Sequence, residues 1–232
     1  MIRPSETRHN ESGNVIFYIF IAIGLLAALS FAVSQGMRGG GKSLTEDRSH
    51  LAASEVIAYG DTLAKAAGQM RLRNIPLGSF SFAHPNANPA YGTYNNNPAA
   101  EIFNPQGGGV IYRAPPALAL TNPISLYFFT GENAVEGVGR DCGSEDCNEL
   151  LMLVSFIKPE VCQMINDILG YAAKTDPLPT DSDTGLSIPF DGTYSYNNII
   201  SDEASILRGR TAGCYTDSGL GDNVYYQVLI AR

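Results

Sequence analysis

The strongest pattern of hydrophobic positions lies near the start of the chain. Val15 to Val33 is apolar apart from the Tyr18 hydroxyl, Gly24 and Ser30, and no charged residue occurs from Asn14 to Met37. The hydrophobicity has no period, so a helix here would be apolar on every face. These nineteen residues at about 1.5 Å each span roughly 28 Å, close to the ~30 Å hydrocarbon layer of a bilayer. Backbone amides in lipid find partners only within a helix or a closed barrel, so the run predicts a transmembrane helix over residues 14–37, preceded by a short leader or cytoplasmic tail, 1–13.

The pattern then changes. Gly39-Gly40-Gly41 predicts a hinge over residues 38–42, because consecutive glycines disfavour helix. Ser43-Leu44-Thr45-Glu46 reads as a capping box that opens a second helix over 43–73. Within it Ala52, Val56, Tyr59, Leu63, Ala66 and Met70 recur at spacings of 4, 3, 4, 3 and 4, which places one narrow apolar stripe on one face. Such a stripe suits packing on a sheet of the same domain, or helix-to-helix assembly.

Residues 74–232 carry no long period. Asn74 to Pro123 is rich in Asn, Pro, Gly and Tyr, which predicts turns and loops with short strands such as Val110 to Tyr112. Gly107-Gly108-Gly109 lacks the Lys-Ser/Thr and helix start of a phosphate loop and reads as a turn. Ser125 to Thr130, Leu150 to Ile157, parts of Gly185 to Ile200, and Val224 to Ile230 read as strands. Pro159 to Gly170 reads as a short helix with Val161, Ile165, Ile168 and Leu169 facing inward. The expected class is α+β, with a long helix on a mainly antiparallel sheet.

Charge sharpens the division. The whole chain has a formal charge of −8, yet residues 1–42 hold four Lys/Arg and two Asp/Glu, which leaves 11 basic and 21 acidic residues in 43–232. A net −10 domain with no clustered Lys/Arg excludes a nucleic-acid partner. All four cysteines, at 142, 147, 162 and 214, fall in this domain, which places it on the oxidising side of the membrane. Four cysteines allow three pairings; the expected ones are Cys142–Cys147, closing an acidic loop, and Cys162–Cys214, tying the short helix to the last strand's entry. A zinc site competes poorly, since the C-x4-C pair has no matching second pair.

Candidate chemistry is sparse, and no enzyme, cofactor or metal is expected. Asp202-Glu203 reads as a solvated pair, and His84 in His84-Pro85-Asn86 as a surface histidine. One weak calcium candidate stands at Asp181 and Asp183, with Asp176 and Asp191 around it, where alternating carboxylates could gather oxygen ligands. The spacing does not match an EF-hand loop.

A polar leader ending in Gly13, an uninterrupted apolar helix, an amphipathic helix and a Gly/Pro-rich β domain with late cysteines together resemble the type IV pilin-like superfamily, pseudopilins included. The resemblance implies cleavage between Gly13 and Asn14 by a prepilin peptidase, and assembly into a filament or pseudopilus through self-association and pilin-like assembly machinery. Asn14 stands where the family usually has Phe or Met, and Tyr18 where most members carry a glutamate. The Gly-Asn-Val start and the ending Tyr226-Gln227-Val228-Leu229-Ile230-Ala231-Arg232 are also similar to single-pass envelope proteins of Alphaproteobacteria. The expectation is a non-enzymatic inner-membrane protein with the bilayer as its first partner. The alternative is a monomeric, membrane-anchored domain that binds a ligand or partner. Small residues at Ser30 and Ala32 also fit a cleaved secretory signal.

Overall fold

The computed structural model describes residues 15–87, 91–140, 148–182, 184–195 and 198–232, with side chains in the first helix described for 17–33 and from 44 onward. The chain separates into two compact units, Met1–Glu46 and Asp47–Arg232. A single helix, α1, runs Val15–Leu72 and belongs to both. The glycine hinge is therefore corrected: residues 38–42 are helical, and Ser43 to Glu46 lie inside a helix rather than opening one. Each glycine costs about 1 kcal/mol against alanine in a helix interior, a cost the hydrogen-bonded turns on both sides offset once the helix is nucleated.

In the first unit, Phe17–Val33 is helical with its large side chains exposed on all sides, from Ile21 at 43% to Tyr18 at 69%. Among the described residues no helix is long and apolar enough to cross a membrane. The apolar side chains described run from residue 17 to 33, roughly 26 Å of helix, against the ~20 residues a span requires.

The second unit is built on a five-stranded sheet in the order β1-β3-β7-β6-β4. Its strands are β1 (Phe128–Thr130), β3 (Leu150–Val154), β4 (Thr180–Asp181), β6 (Ala212–Asp217) and β7 (Asp222–Ile230). The pairings are antiparallel except β4 with β6, so the sheet is mainly antiparallel. β2 (Asn133–Val135) and β5 (Asn198–Ile200) form a separate parallel ribbon. β7 is central, and from Val224 to Leu229 its side chains alternate between two faces, as a period of two requires. Tyr225 and Leu229 join α1 and α2 (Pro159–Ile168) on one face. Val224, Tyr226 and Val228 meet Val135, Ile200 and Leu207 from the ribbon and a 3-10 turn on the other.

All six residues of the expected α1 stripe are buried, Tyr59 being the most accessible at 7%. Ala53 and Ala67 widen it and share the core with Leu150, Met152 and Val154 of β3. The helix thus lies on its own domain's sheet. Approach is closest at Gly60, where a Cβ would stand 3.0 Å from both the Tyr225 hydroxyl and Gln227 Oε1. In α2, Val161 and Ile165 face inward as expected and Met164 joins them; of Ile168 and Leu169, Leu169 packs against the core and Ile168 is 39% exposed. Val110 to Tyr112 is extended but forms no strand. The irregular stretch after α1 is fixed by aromatics instead: Phe82 stacks on Phe129 at 4.0 Å, with Phe103, Tyr91 and Phe190 edge-on around it.

Candidate functional site

In the second unit a groove of about 490 Å³ runs along α1. One wall is the helix face bearing Glu55, Ala58, Thr62, Lys65 and Gln69, and the other is the backbone from Gly108 to Ile111, where the turn ends, with Arg113 beyond it. This face exists because the stripe takes only part of the helix circumference, which leaves residues three and four apart to line the opposite side. Tyr59 joins the walls. Its hydroxyl donates to the Ile111 carbonyl at 3.3 Å and accepts from the Arg113 amide at 3.2 Å, and its ring lies 4.8 Å from that of Tyr127. Burial pushes the Tyr59 phenol up to about 12, so it stays protonated near neutral pH. The groove offers a charged rim, peptide groups and a neutral phenol.

The loop beside the groove is built on close backbone approach. A Cβ at Gly107 would sit 2.0 Å from the Glu101 carbonyl oxygen, and one at Gly108 2.4 Å from that of Ile102. Only glycine fits at either position, which confirms the turn reading of Gly107 to Gly109. The buried Glu101 carboxylate holds the preceding turn by accepting from the Asn95 and Asn97 amides and from Asn104 Nδ2.

The sequence candidates fare unevenly. Cys162 and Cys214 are disulfide-bonded, with Cα atoms 5.3 Å apart. Asn166, one turn after Cys162 on α2, receives the Cys214 amide at 3.0 Å and donates to the Cys214 carbonyl at 2.7 Å. Helix and strand are therefore joined twice at one residue, once covalently and once by a side-chain amide that acts as an extra strand. The Cys142–Cys147 pairing, Asp183, Gly13 and Asn14 lie outside the described residues.

Asp181 is fully buried, and its carboxylate accepts from the Ser182 and Ser201 amides at 2.9 and 2.6 Å. Its register neighbour Asp217 accepts from Thr184 and Leu220. Asp181 and Asp217 are thus held by backbone amides, and among the described residues, which do not include Asp183, no group of three or more His, Cys, Asp or Glu could hold a metal ion. Asp176 caps the Ala173 amide. Asp191 accepts from both Thr193 donors, which holds its carboxyl below the usual carboxylate range. Asp202 and Glu203 are exposed, and His84 stacks on Tyr112 at 4.4 Å with Nδ1 accepting from the Asn86 amide.

Sequence reading missed the buried acids that join segments far apart in the chain, Glu132 and Glu149. Glu132 accepts from the Ser187 hydroxyl and from the Ser187 and Ile188 amides. Each stands in a short polar run that looks like loop, with no local signal to separate it from a solvated carboxylate. Compared with known protein families, with curated proteins and with solved structures, the chain matches none.

Proposed function

We propose that this chain is a non-enzymatic, pilin-like envelope protein, anchored by its N-terminal helix in a bacterial inner membrane and displaying its acidic domain on the periplasmic side or at the cell surface. The observation that carries this reading is the way α1 divides its hydrophobic residues. From 52 to 70 they form one buried stripe, and from 17 to 33 they surround the helix and are exposed. A contiguous apolar surface that large is covered by something in a living cell. A bilayer covers every face of a helix at once, and the uncharged flanks from Asn14 to Met37 extend the run to spanning length. The Cys162–Cys214 bond agrees with an oxidising compartment. One unbroken helix that is bare and apolar first and sheet-packed later also suits a subunit that leaves the membrane to pack against copies of itself.

The test is the mass of protein extracted from membranes of cells with an active prepilin peptidase. Loss of residues 1–13, together with recovery of the chain in sheared surface filaments, is the expected result. Retention of Met1 in such cells sinks the pilin-like reading. Release of a soluble chain beginning at Val33 sinks any anchored one.

The groove along α1 favours a second reading, an anchored monomer whose helix face and residues 108–113 hold a partner's polar segment. That reading expects no filaments, and a loss of binding when Lys65 and Arg113 are reversed in charge.

A further inference from the structure

Glu149 stands just before β3 and is fully buried. Its amide donates to the Asn133 carbonyl at 3.2 Å and its Oε2 accepts from the Val135 amide at 2.8 Å. One residue therefore brackets β2 as an antiparallel neighbour would, with its side chain in place of a second peptide group, and ties the β2–β5 ribbon to the main sheet. Among the described residues the other oxygen, Oε1, has no hydrogen-bond partner. It faces Gly139, whose φ is +65° and where a Cβ would lie 2.6 Å from Oε1 and 2.5 Å from the Arg232 carbonyl oxygen. The backbone of the turn after β2 is thus pressed directly over an unpartnered carboxyl oxygen.

The charges around it compensate little. Arg232 favours the ionised form, but its guanidinium lies 3.9 Å from the centre of the Tyr194 ring. Glu136, next to Val135, is paired with Arg208 at 2.6 Å. Arg140 approaches through its amide, which donates to the Arg232 carbonyl at 2.8 Å. Burial dominates and raises the Glu149 carboxyl to about 7. A buried, ionised carboxylate with a bare oxygen is costly, and hydrating it requires lifting the turn that covers it.

We propose that Glu149 is a proton-operated latch: protonated, it holds β2 and the turn through Gly139 against the main sheet, and ionised, it lets them open. The closed state binds the proton more tightly than the open one, where the carboxyl returns to about 4.3. Opening therefore grows as pH rises from that value and levels off once the closed state is itself ionised.

The experiment is amide exchange of the full-length chain in detergent micelles from pH 5 to pH 8, with rates corrected for the intrinsic pH dependence of exchange and read over residues 133–140. The expected result is a rise in the open population on the order of a hundredfold across that range, with Glu149→Gln flat and protected throughout. A pH-independent wild type, or the same rise in Glu149→Gln, overturns the proposal. Should the variant fail to fold, carboxyl NMR of the wild-type chain decides: titration of Glu149 near 7 supports the latch, and titration in the ordinary glutamate range, about 4.3, overturns it.

Discussion

The two ends of α1 make different use of the same side chains. Leu63 is fully buried between helix and sheet, whereas Leu25, Leu26 and Leu29 are 65–67% exposed. Around Leu63 the apolar residues keep to one stripe and polar residues fill the rest, so a single sheet face satisfies them. Around Leu26 they point everywhere, and no sheet could cover them all. The difference shows that the spacing of hydrophobic residues, more than their number, decides what kind of partner a helix needs.

Truncation breaks the comparison most sharply. Leu63→Ala is expected to destabilise the Asp47–Arg232 unit by about 2–5 kcal/mol, the range for deleting a buried leucine, measured by denaturant unfolding. Leu26→Ala is expected to leave the same transition unmoved. The Cys162–Cys214 bond closes a loop with a sequence separation of 52, so replacing both cysteines by serine is expected to cost about 2–5 kcal/mol in the same measurement.

Leu26→Arg reverses the test. On the anchored reading proposed above, it should leave the unfolding transition in place but shift the chain out of the carbonate-resistant membrane fraction, since a central arginine costs a membrane helix about 2.5–3.5 kcal/mol. Glycines give the smallest and most local effect. Gly68 has nothing within 4 Å of its would-be Cβ, so Gly68→Ala should stabilise by up to about 1 kcal/mol through helix propensity alone. Gly60→Ala should instead destabilise by about 1 kcal/mol, because its methyl group presses on the hydrogen-bonded Tyr225 and Gln227 side chains. Thermal midpoints of the pair separate the two.

The pH dependence of global stability follows from Glu149, whose carboxyl is raised to about 7 in the folded state. Its contribution is complete below the ordinary glutamate range and is lost as pH rises through about 7, opposite to the usual salt-bridged carboxylate. The Glu149→Gln variant should remove that slope from a series of thermal unfolding curves between pH 4 and pH 8.

Much of this was legible in the sequence wherever a period was long enough to read. The α1 stripe repeats over five intervals, each of which adds to the signal, and β7 shows as a run rich in β-formers from Val224 to Ile230. The glycine triplet misled because propensity is local, while a helix already nucleated on both sides carries unfavourable residues through. β2 and β4, of three and two residues, were invisible because side chains hold them as much as ladders do. Val135 answers to a glutamate 14 positions away, and the Ser201 amide beside β5 to an aspartate 20 positions away. Nothing near those residues announces such distant partners. The candidate groove was half-legible, since its helix wall is the complement of the stripe, but the wall from Gly108 to Ile111 depends on Tyr59 reaching across 52 positions.

The clasp between Asn166 and Cys214 has a consequence for how the chain acquires its covalent bond. Two hydrogen bonds to the backbone N–H and C=O of one residue fix the height of β6 against α2 without any help from sulfur. Cys162, four residues earlier on the same helix face, is then carried opposite Cys214 by the helical repeat itself. The hydrogen bonds and the helical repeat thus align Cys162 with Cys214 by contacts that are independent of the disulfide they flank.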